Sequence, residues 1–364
     1  MASHVPFLAV RPDDQFSSKI KKRDFSTRKG ISSSAMDAPE APYLPHAPAI
    51  PVARLPAAVR FFLVCVLSLT FSTLCYSLAS EYAGYELAAV SRTITDDRHV
   101  SALLGWKFLE LSFAWYAGHE WKDLAALTCL SNVPYYFLLH TFYDIDGLAC
   151  MVALAIDVGT IAIPFFLLRP LMATHHRGRD PNRQVAQDNQ IFILTMVLGA
   201  ATYAIVVYGS LCTWIPVYLL THFDKIRSLE HAHNAAHHMV TLMLLPVGWA
   251  TARFLFTPMI ESQRNLVLAD PKPDLRRDGF DPETATFGET LAYNLGLGKD
   301  GFSKRIEVLL KRSVVLIICS VVNTFVRVLM TLDGSEPVGA AGWASVWGIA
   351  AMLTSITYAW VGNE

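Results

Sequence analysis

Eight apolar stretches, at about 58–80, 100–118, 124–142, 147–168, 190–212, 238–257, 312–331 and 341–361, constrain this chain more than any other feature. A helix needs roughly 20 apolar residues to cross a bilayer, and each stretch is near that length. The second and third are the weakest, because Lys107, Glu110, Asn132 and Pro134 interrupt them. Composition agrees: 53% of the 364 residues are hydrophobic and only 17% are charged, a balance foreign to soluble domains of this size. The expected fold is all-α, a polytopic integral membrane helical bundle of about eight transmembrane helices.

Lysine and arginine test that count, since they concentrate in cytosolic loops. With the N-terminus cytosolic, one side collects twenty-three of them and the other only Arg92, Arg98, Lys225 and Arg227. An even number of spans with both termini cytosolic is therefore expected. Residues 1–55 are rich in Ser, Pro, Lys and Arg and lack apolar periodicity, which predicts a disordered cytosolic tail. The transmembrane domain is expected over 56–364, with a long cytosolic loop at 258–311 that carries a short amphipathic helix near 287–295. The first long apolar run begins only near residue 58 and no cleavable signal is visible, which points to the endoplasmic reticulum or a related endomembrane. All six cysteines fall in apolar spans with no CxxC pair, as small buried hydrophobes do. No P-loop, GxGxxG unit or nucleic-acid signature is present, so nucleic acid is not an expected partner. The bilayer is.

Ionisable groups at membrane depth are costly and by default face a cavity or a partner. Glu110 has Lys107 three residues before it, close enough for an ion pair on one helix. Asp157, in LAIDVGTIAIP, has no partner within a turn. It requires one from another helix, or it is protonated, and a neutral carboxylic acid in an apolar pocket is a candidate general acid. A third acidic locus is HTFYDIDG, residues 140–147, where His140, Asp144 and Asp146 sit at a helix junction on the non-cytosolic side. The two aspartates, two residues apart, converge only in a turn; a plain polar hairpin tip is the competing reading. Aromatic residues crowd spans two to five. Trp106, Tyr135, Tyr136, Tyr203 and Tyr208 are candidates to line a pocket, since ring faces stabilise positive charge by about 0.5–2 kcal/mol each.

EHAHNAAHHM, residues 230–239, is the stretch richest in metal-ligand side chains. On a helix Glu230, His233 and His237 share one face, and His233-x3-His237-His238 fits one box of a membrane di-iron desaturase. Such a centre needs further boxes, and no other pair of histidines here is spaced HxxxH. A second ExxH is also missing, and the charge bias puts the stretch on the non-cytosolic side. A single zinc on Glu230, His233 and His237 is chemically allowed. The reading adopted is a polar rim in which His233 and His237 bind the polar end of a substrate, with no metal.

The eight spans, the aromatic core with sparse acids, and the blocks YYFLLHTFYDIDG and FDPETATFGETLAYNLGLGKDGFSKR resemble the fungal membrane-bound terpene cyclases of the ascochlorin, ascofuranone and macrophorin pathways. The resemblance covers about residues 56–364. It implies a metal-free, cofactor-free cyclisation in fungal meroterpenoid secondary metabolism. An acid protonates a terminal epoxide or olefin of a prenylated aromatic substrate, and an internal alkene or hydroxyl traps the cation. No catalytic residue is carried over from that family by motif. The residues assigned to catalysis, Asp157, Glu110, Asp144 and Asp146, rest on the reading above. The competing classes are a His-box metal-dependent oxygenase and a non-catalytic, transporter-like helical bundle with no enzymatic site.

Overall fold

The computed structural model describes residues 56–92, 97–169, 189–233, 237–262, 284–294, 297–298 and 301–362. The chain divides into Met1–Ala49 and Ile50–Glu364; the first unit, and with it the expected tail over 1–55, lies outside the described residues. The second is built from helices α1 (Ala57–Ala79), α2 (Tyr85–Val90), α3 (Asp97–Tyr116), α4 (Trp121–Tyr143), α5 (Gly147–Leu168), α6 (Asn189–Thr213), α7 (Ile215–His222), α8 (Glu230–His233), α9 (His237–Met243), α10 (Leu245–Thr251), α11 (Phe287–Asn294), α12 (Lys304–Thr331) and α13 (Pro337–Val361). Two π-helical turns, Ser80–Gly84 and Ala252–Phe256, join α1 to α2 and follow α10. The one sheet among the described residues is a hairpin of two-residue strands, β1 (Leu297–Gly298) and β2 (Gly301–Phe302).

Five helices, α1, α5, α6, α12 and α13, are long and apolar enough to cross a membrane. This is the signature of a helical membrane protein, with large apolar side chains such as Phe62, Leu78, Leu194 and Ile205 left on the outside. The other three expected spans exist as helical segments that fall short on composition or continuity. α3 and α4 run 20 and 23 residues, but carry the polar residues that weakened them in the sequence. The sixth is broken at Leu244, because Pro246 sits in the first turn of α10 and has no amide with which to continue the ladder from α9. Gly248 lets this broken segment lie against α6. A Cβ there would fall 2.2 Å from the Met196 carbonyl.

Local signals set the boundaries. Ser303 caps α12, its hydroxyl accepting from the Ile306 amide at 3.4 Å. Pro337 opens α13 in the position where its missing amide costs nothing. α4 ends on Asp144 in the left-handed conformation, φ 55°, which aspartate tolerates better than most residues. α11 matches the expected amphipathic helix. It starts with a capping box in which Glu289 accepts from the Thr286 amide at 2.8 Å and Thr286 Oγ accepts from the Glu289 amide at 3.4 Å. The bonds donated by the Thr286 amide and hydroxyl hold the Glu289 carboxyl below its usual range.

The most extensive packing is α12 on α13 and α4 on α5. Segment ends gather in two groups. In one, the Ser91 and Leu332 backbones bridge, Phe223 bridges Ser335, the Arg227 amide donates to Phe142 O, and the Asp146 amide donates to Glu86. In the other, Arg169 donates to Ala114 O, and Arg312 donates to Phe254 O and to Asp123. α4 runs from the second group to the first, and α5 returns.

Candidate functional site

The densest polar cluster in the interior surrounds Asp157. It sits near the middle of α5 and is buried. Its partner comes from another helix: Arg327 of α12 donates Nη1 to Asp157 Oδ2 at 2.5 Å. Helical side chains lean toward the N-terminus, so Arg327, four residues from the end of α12, reaches inward. Tyr76 of α1 donates to Asp157 Oδ1, and Tyr136 of α4 donates to Oδ2, each at 2.8 Å. Arg327 also donates to Asn132 and, through Nη2 at 3.1 Å, to the Tyr136 oxygen. Its guanidinium lies 4.6 Å from the Tyr135 ring centre and 5.1 Å from that of Tyr136, within cation–π range.

A second tier extends the cluster. Asn323 of α12 donates to Asn132 Oδ1 at 3.0 Å and to Ser131 O at 2.8 Å. Asn323 in turn accepts from Trp106 Nε1 of α3 at 2.8 Å. Asn132, an interruption in the third apolar stretch, thus has its amide group engaged on both sides. Five helices, α1, α3, α4, α5 and α12, meet here.

This arrangement decides what Asp157 can do. Both carboxylate oxygens accept from donors, and one donor is a cation, so the ionised form is the one the cluster is built to hold. An ionised carboxylate has no proton to deliver.

The remaining site residues are dispersed. Glu110 pairs with Lys107 on α3 at 3.3 Å, as their spacing allows. Asp144 and Asp146 are exposed at the α4–α5 turn, where Asp146 precedes the first turn of α5. His140 Nδ1 lies 2.9 Å from the Ile145 carbonyl and braces that turn. Tyr135 is buried beside Arg327, with its hydroxyl 3.0 Å from Thr331 Oγ. Tyr203 is buried on α6 against the Trp347 ring, centroids 6.1 Å apart, and Tyr208, also on α6, packs part-buried on the core. The side chains of His233 and His237, and so the histidine stretch, lie outside the described residues. Among the described residues no group of three His, Cys, Asp or Glu is placed to hold a metal.

Arg327, Tyr76 and Asn323 complete the cluster and are not reached by the sequence reading. Arg327 carries a plain signal: an arginine inside the run 312–331 is as costly as the aspartate in α5, and two such charges of opposite sign invite pairing.

Another polar cluster lies at the opposite group of segment ends. Arg312 donates to Asp123 Oδ2 at 2.8 Å and stacks 5.2 Å from the Phe254 ring. Beside it His119 is buried with Nε2 unpartnered. Burial, and then the Arg312 charge, push the His119 imidazole down to about 4.

Fold and interior together define a class: a multi-helix bundle of membrane type stitched by a buried arginine–aspartate network. Within it, residues 188–326 match the family model of the Bouquet formation protein 3 C-terminal domain. The match takes in α6 through most of α12, over a third of the chain. No curated protein and no solved structure matches the chain.

Proposed function

We propose that this chain is a non-catalytic, multi-pass membrane protein that acts as a scaffold in bouquet formation, the meiotic clustering of telomeres. The observation that carries this reading is the Asp157 cluster, whose acid is neutralised by Arg327 and capped by two phenols. That is the pattern of a structural tie between helices rather than of a proton donor. The match of residues 188–326 to the bouquet protein's C-terminal domain supports it independently. In this reading eight segments cross the bilayer, with both termini on the side richer in Lys and Arg. Single cysteines placed at Asp144 and Asp333 are then labelled by an impermeant maleimide from the face opposite to cysteines placed at Lys122 and Glu261. Deleting the gene in a meiotic host should abolish telomere clustering. Normal clustering in the deletion strain would sink the scaffold reading.

One observation favours a second reading, the terpene cyclase of the sequence resemblance. An apolar cleft of about 200 Å³ has Tyr76 in its wall, and the Tyr76 hydroxyl is bonded to Asp157. In that reading the Tyr76 hydroxyl gives its proton to the epoxide and recovers one from the cyclised cation, Asp157 staying ionised, and endomembranes are the setting. Microsomes carrying the chain are incubated with farnesylated aromatic epoxides and products are resolved by mass and retention. An isomer of unchanged mass, lost in Asp157→Asn, establishes the cyclase; no product from any candidate removes it.

A further inference from the structure

Arg60 differs from the other charged residues of the bundle. It lies half-buried in the first turn of α1, and among the described residues its guanidinium donates to no protein group. Its Nε is buried without a partner, although a guanidinium offers five donors and a buried donor left unpaired is costly. The end of α5 brings a second arginine alongside. Arg169 directly follows Leu168, stacks 5.4 Å from the Trp115 ring centre and donates to the Ala114 carbonyl at 3.2 Å. Phe61, next to Arg60, lies against the same Trp115 ring at 5.8 Å. One indole thus holds the start of α1 and the end of α5 together. Burial pushes the Arg169 guanidinium below its ordinary value, Glu120 opposes that shift, and the Arg60 charge adds to it.

Two guanidinium groups held near one another repel, and an anion shared between them reverses that cost. Among the described residues cations outnumber acids at this rim: Arg60, Lys122, Arg169 and Arg312 stand against Glu120 and Asp123, and Asp123 is engaged by Arg312. Height selects the anion. Arg60 opens one membrane-length helix and Arg169 follows the end of another, so both charges sit where the apolar layer ends and lipid phosphates begin. Tyr116 lies 6.3 Å from Phe61, and Trp121 lies 5.3 Å from Phe166, as aromatics of the interface do. Two residues further into each span, Phe62 and Leu167 are more than half exposed and give acyl chains an apolar track. In the eight-span reading this is the Lys- and Arg-rich side, where anionic lipids concentrate.

We propose that Arg60 and Arg169 bind the phosphodiester of an anionic phospholipid, whose acyl chains lie along Phe62 and Leu167. The planar guanidinium matches phosphate oxygens in geometry as well as in charge. The lipid then completes the contact between α1 and α5 at this rim. The proposal requires the membrane setting but not the scaffold role, so its failure leaves the bouquet phenotype where it stands.

The test uses the full chain in phosphatidylcholine nanodiscs doped with a phosphatidylserine that carries a diazirine in one acyl chain. Label should map to peptides containing residues 57–67 and 160–168, and unlabelled phosphatidylserine should displace it where the excess of phosphatidylcholine does not. Diacylglycerol with the same chains should not compete, and neither should inorganic phosphate; displacement by phosphate would assign the site to a soluble anion and overturn the lipid reading. Arg60→Gln should lower labelling about tenfold, the loss of a charge-assisted bond. Its melting temperature in detergent should be unchanged, because that side chain gives up no bond to the described residues. Lys225→Gln, at the other group of segment ends, should label as the native chain does. Labelling unmoved in Arg60→Gln, an equal fall in Lys225→Gln, displacement by diacylglycerol, or label mapped to other peptides overturns the proposal.

Discussion

α12 carries two arginine–aspartate pairs, and they differ in almost everything but their chemistry. Arg327 meets Asp157 among two tyrosines and two asparagines, with every functional group of the acid engaged. Arg312, about 22 Å nearer the start of the helix at 1.5 Å per residue, meets Asp123 beside a histidine whose Nε2 has no hydrogen-bond partner. The first pair lies within the apolar layer of helices, where a lone charge has no water to fall back on. The second lies at the segment ends, where solvent is near. The two arginine side chains are equally exposed, so depth along the bundle, rather than burial, changes the meaning of the same contact. Inside, it makes the pair obligatory; at the ends, the pair is one support among several.

The largest effect should come from halving the inner pair. Asp157→Asn or Arg327→Leu leaves a buried charge without its counter-ion, which costs about 3–5 kcal/mol, read as a large fall in melting temperature in detergent. The double variant Asp157→Leu with Arg327→Leu should recover a good part of that loss. A double variant as unstable as the sum of the singles would show that the two residues do not act as a pair.

Acid should sharpen the comparison next. His119 titrates near 4 in the fold and near 6.5 when unfolded. The unfolded chain therefore binds the proton more readily, and stability falls as pH drops from about 6.5 toward 4, by at most about 3.4 kcal/mol at 1.36 kcal/mol per unit. His119→Phe should flatten that slope. So in part should Arg312→Gln, since the Arg312 charge helps hold the imidazole down. A slope unchanged in His119→Phe would place the acid sensitivity elsewhere.

Asp123→Asn should cost about 1–2 kcal/mol, because the outer arginine keeps its bond to Phe254 O and access to water. A loss equal to that of Asp157→Asn would abolish the contrast between the pairs. The smallest effect belongs to the exposed pair Lys225–Asp333. The lysine holds the Asp333 carboxyl below its usual range, yet Lys225→Ala should leave the melting temperature unmoved.

Local information explains which of these features are legible in the sequence. The first apolar stretch, read as 58–80, is Ala57–Ala79, and the fourth is matched at both ends by Gly147–Leu168, because hydropathy and turn residues are properties of contiguous chain. The Lys107–Glu110 pair is legible for the same reason, being three residues apart on one helix. Asp157 announces itself as a charge in need of a partner, but the partner is 170 residues away, and no local rule selects Arg327 from other donors. The break at Leu244 follows from Pro246, whereas the close crossing at Gly248 depends on where α6 passes. The dispersal of Asp144, Asp146, Tyr203 and Tyr208 from the Asp157 cluster is likewise a matter of which helix faces which.

That separation has a consequence for how the molecule is made. Ribosomes add about 5–20 residues per second, so α5 precedes Arg327 by roughly 10–30 seconds. During that interval Asp157 has only Tyr76 and Tyr136 to shelter it, and a lone carboxylate in hydrocarbon takes up a proton. Arrival of α12 would release that proton and close the bundle in one event. The arginine thus completes the network last: a chain truncated before residue 327 lacks the counter-ion of Asp157.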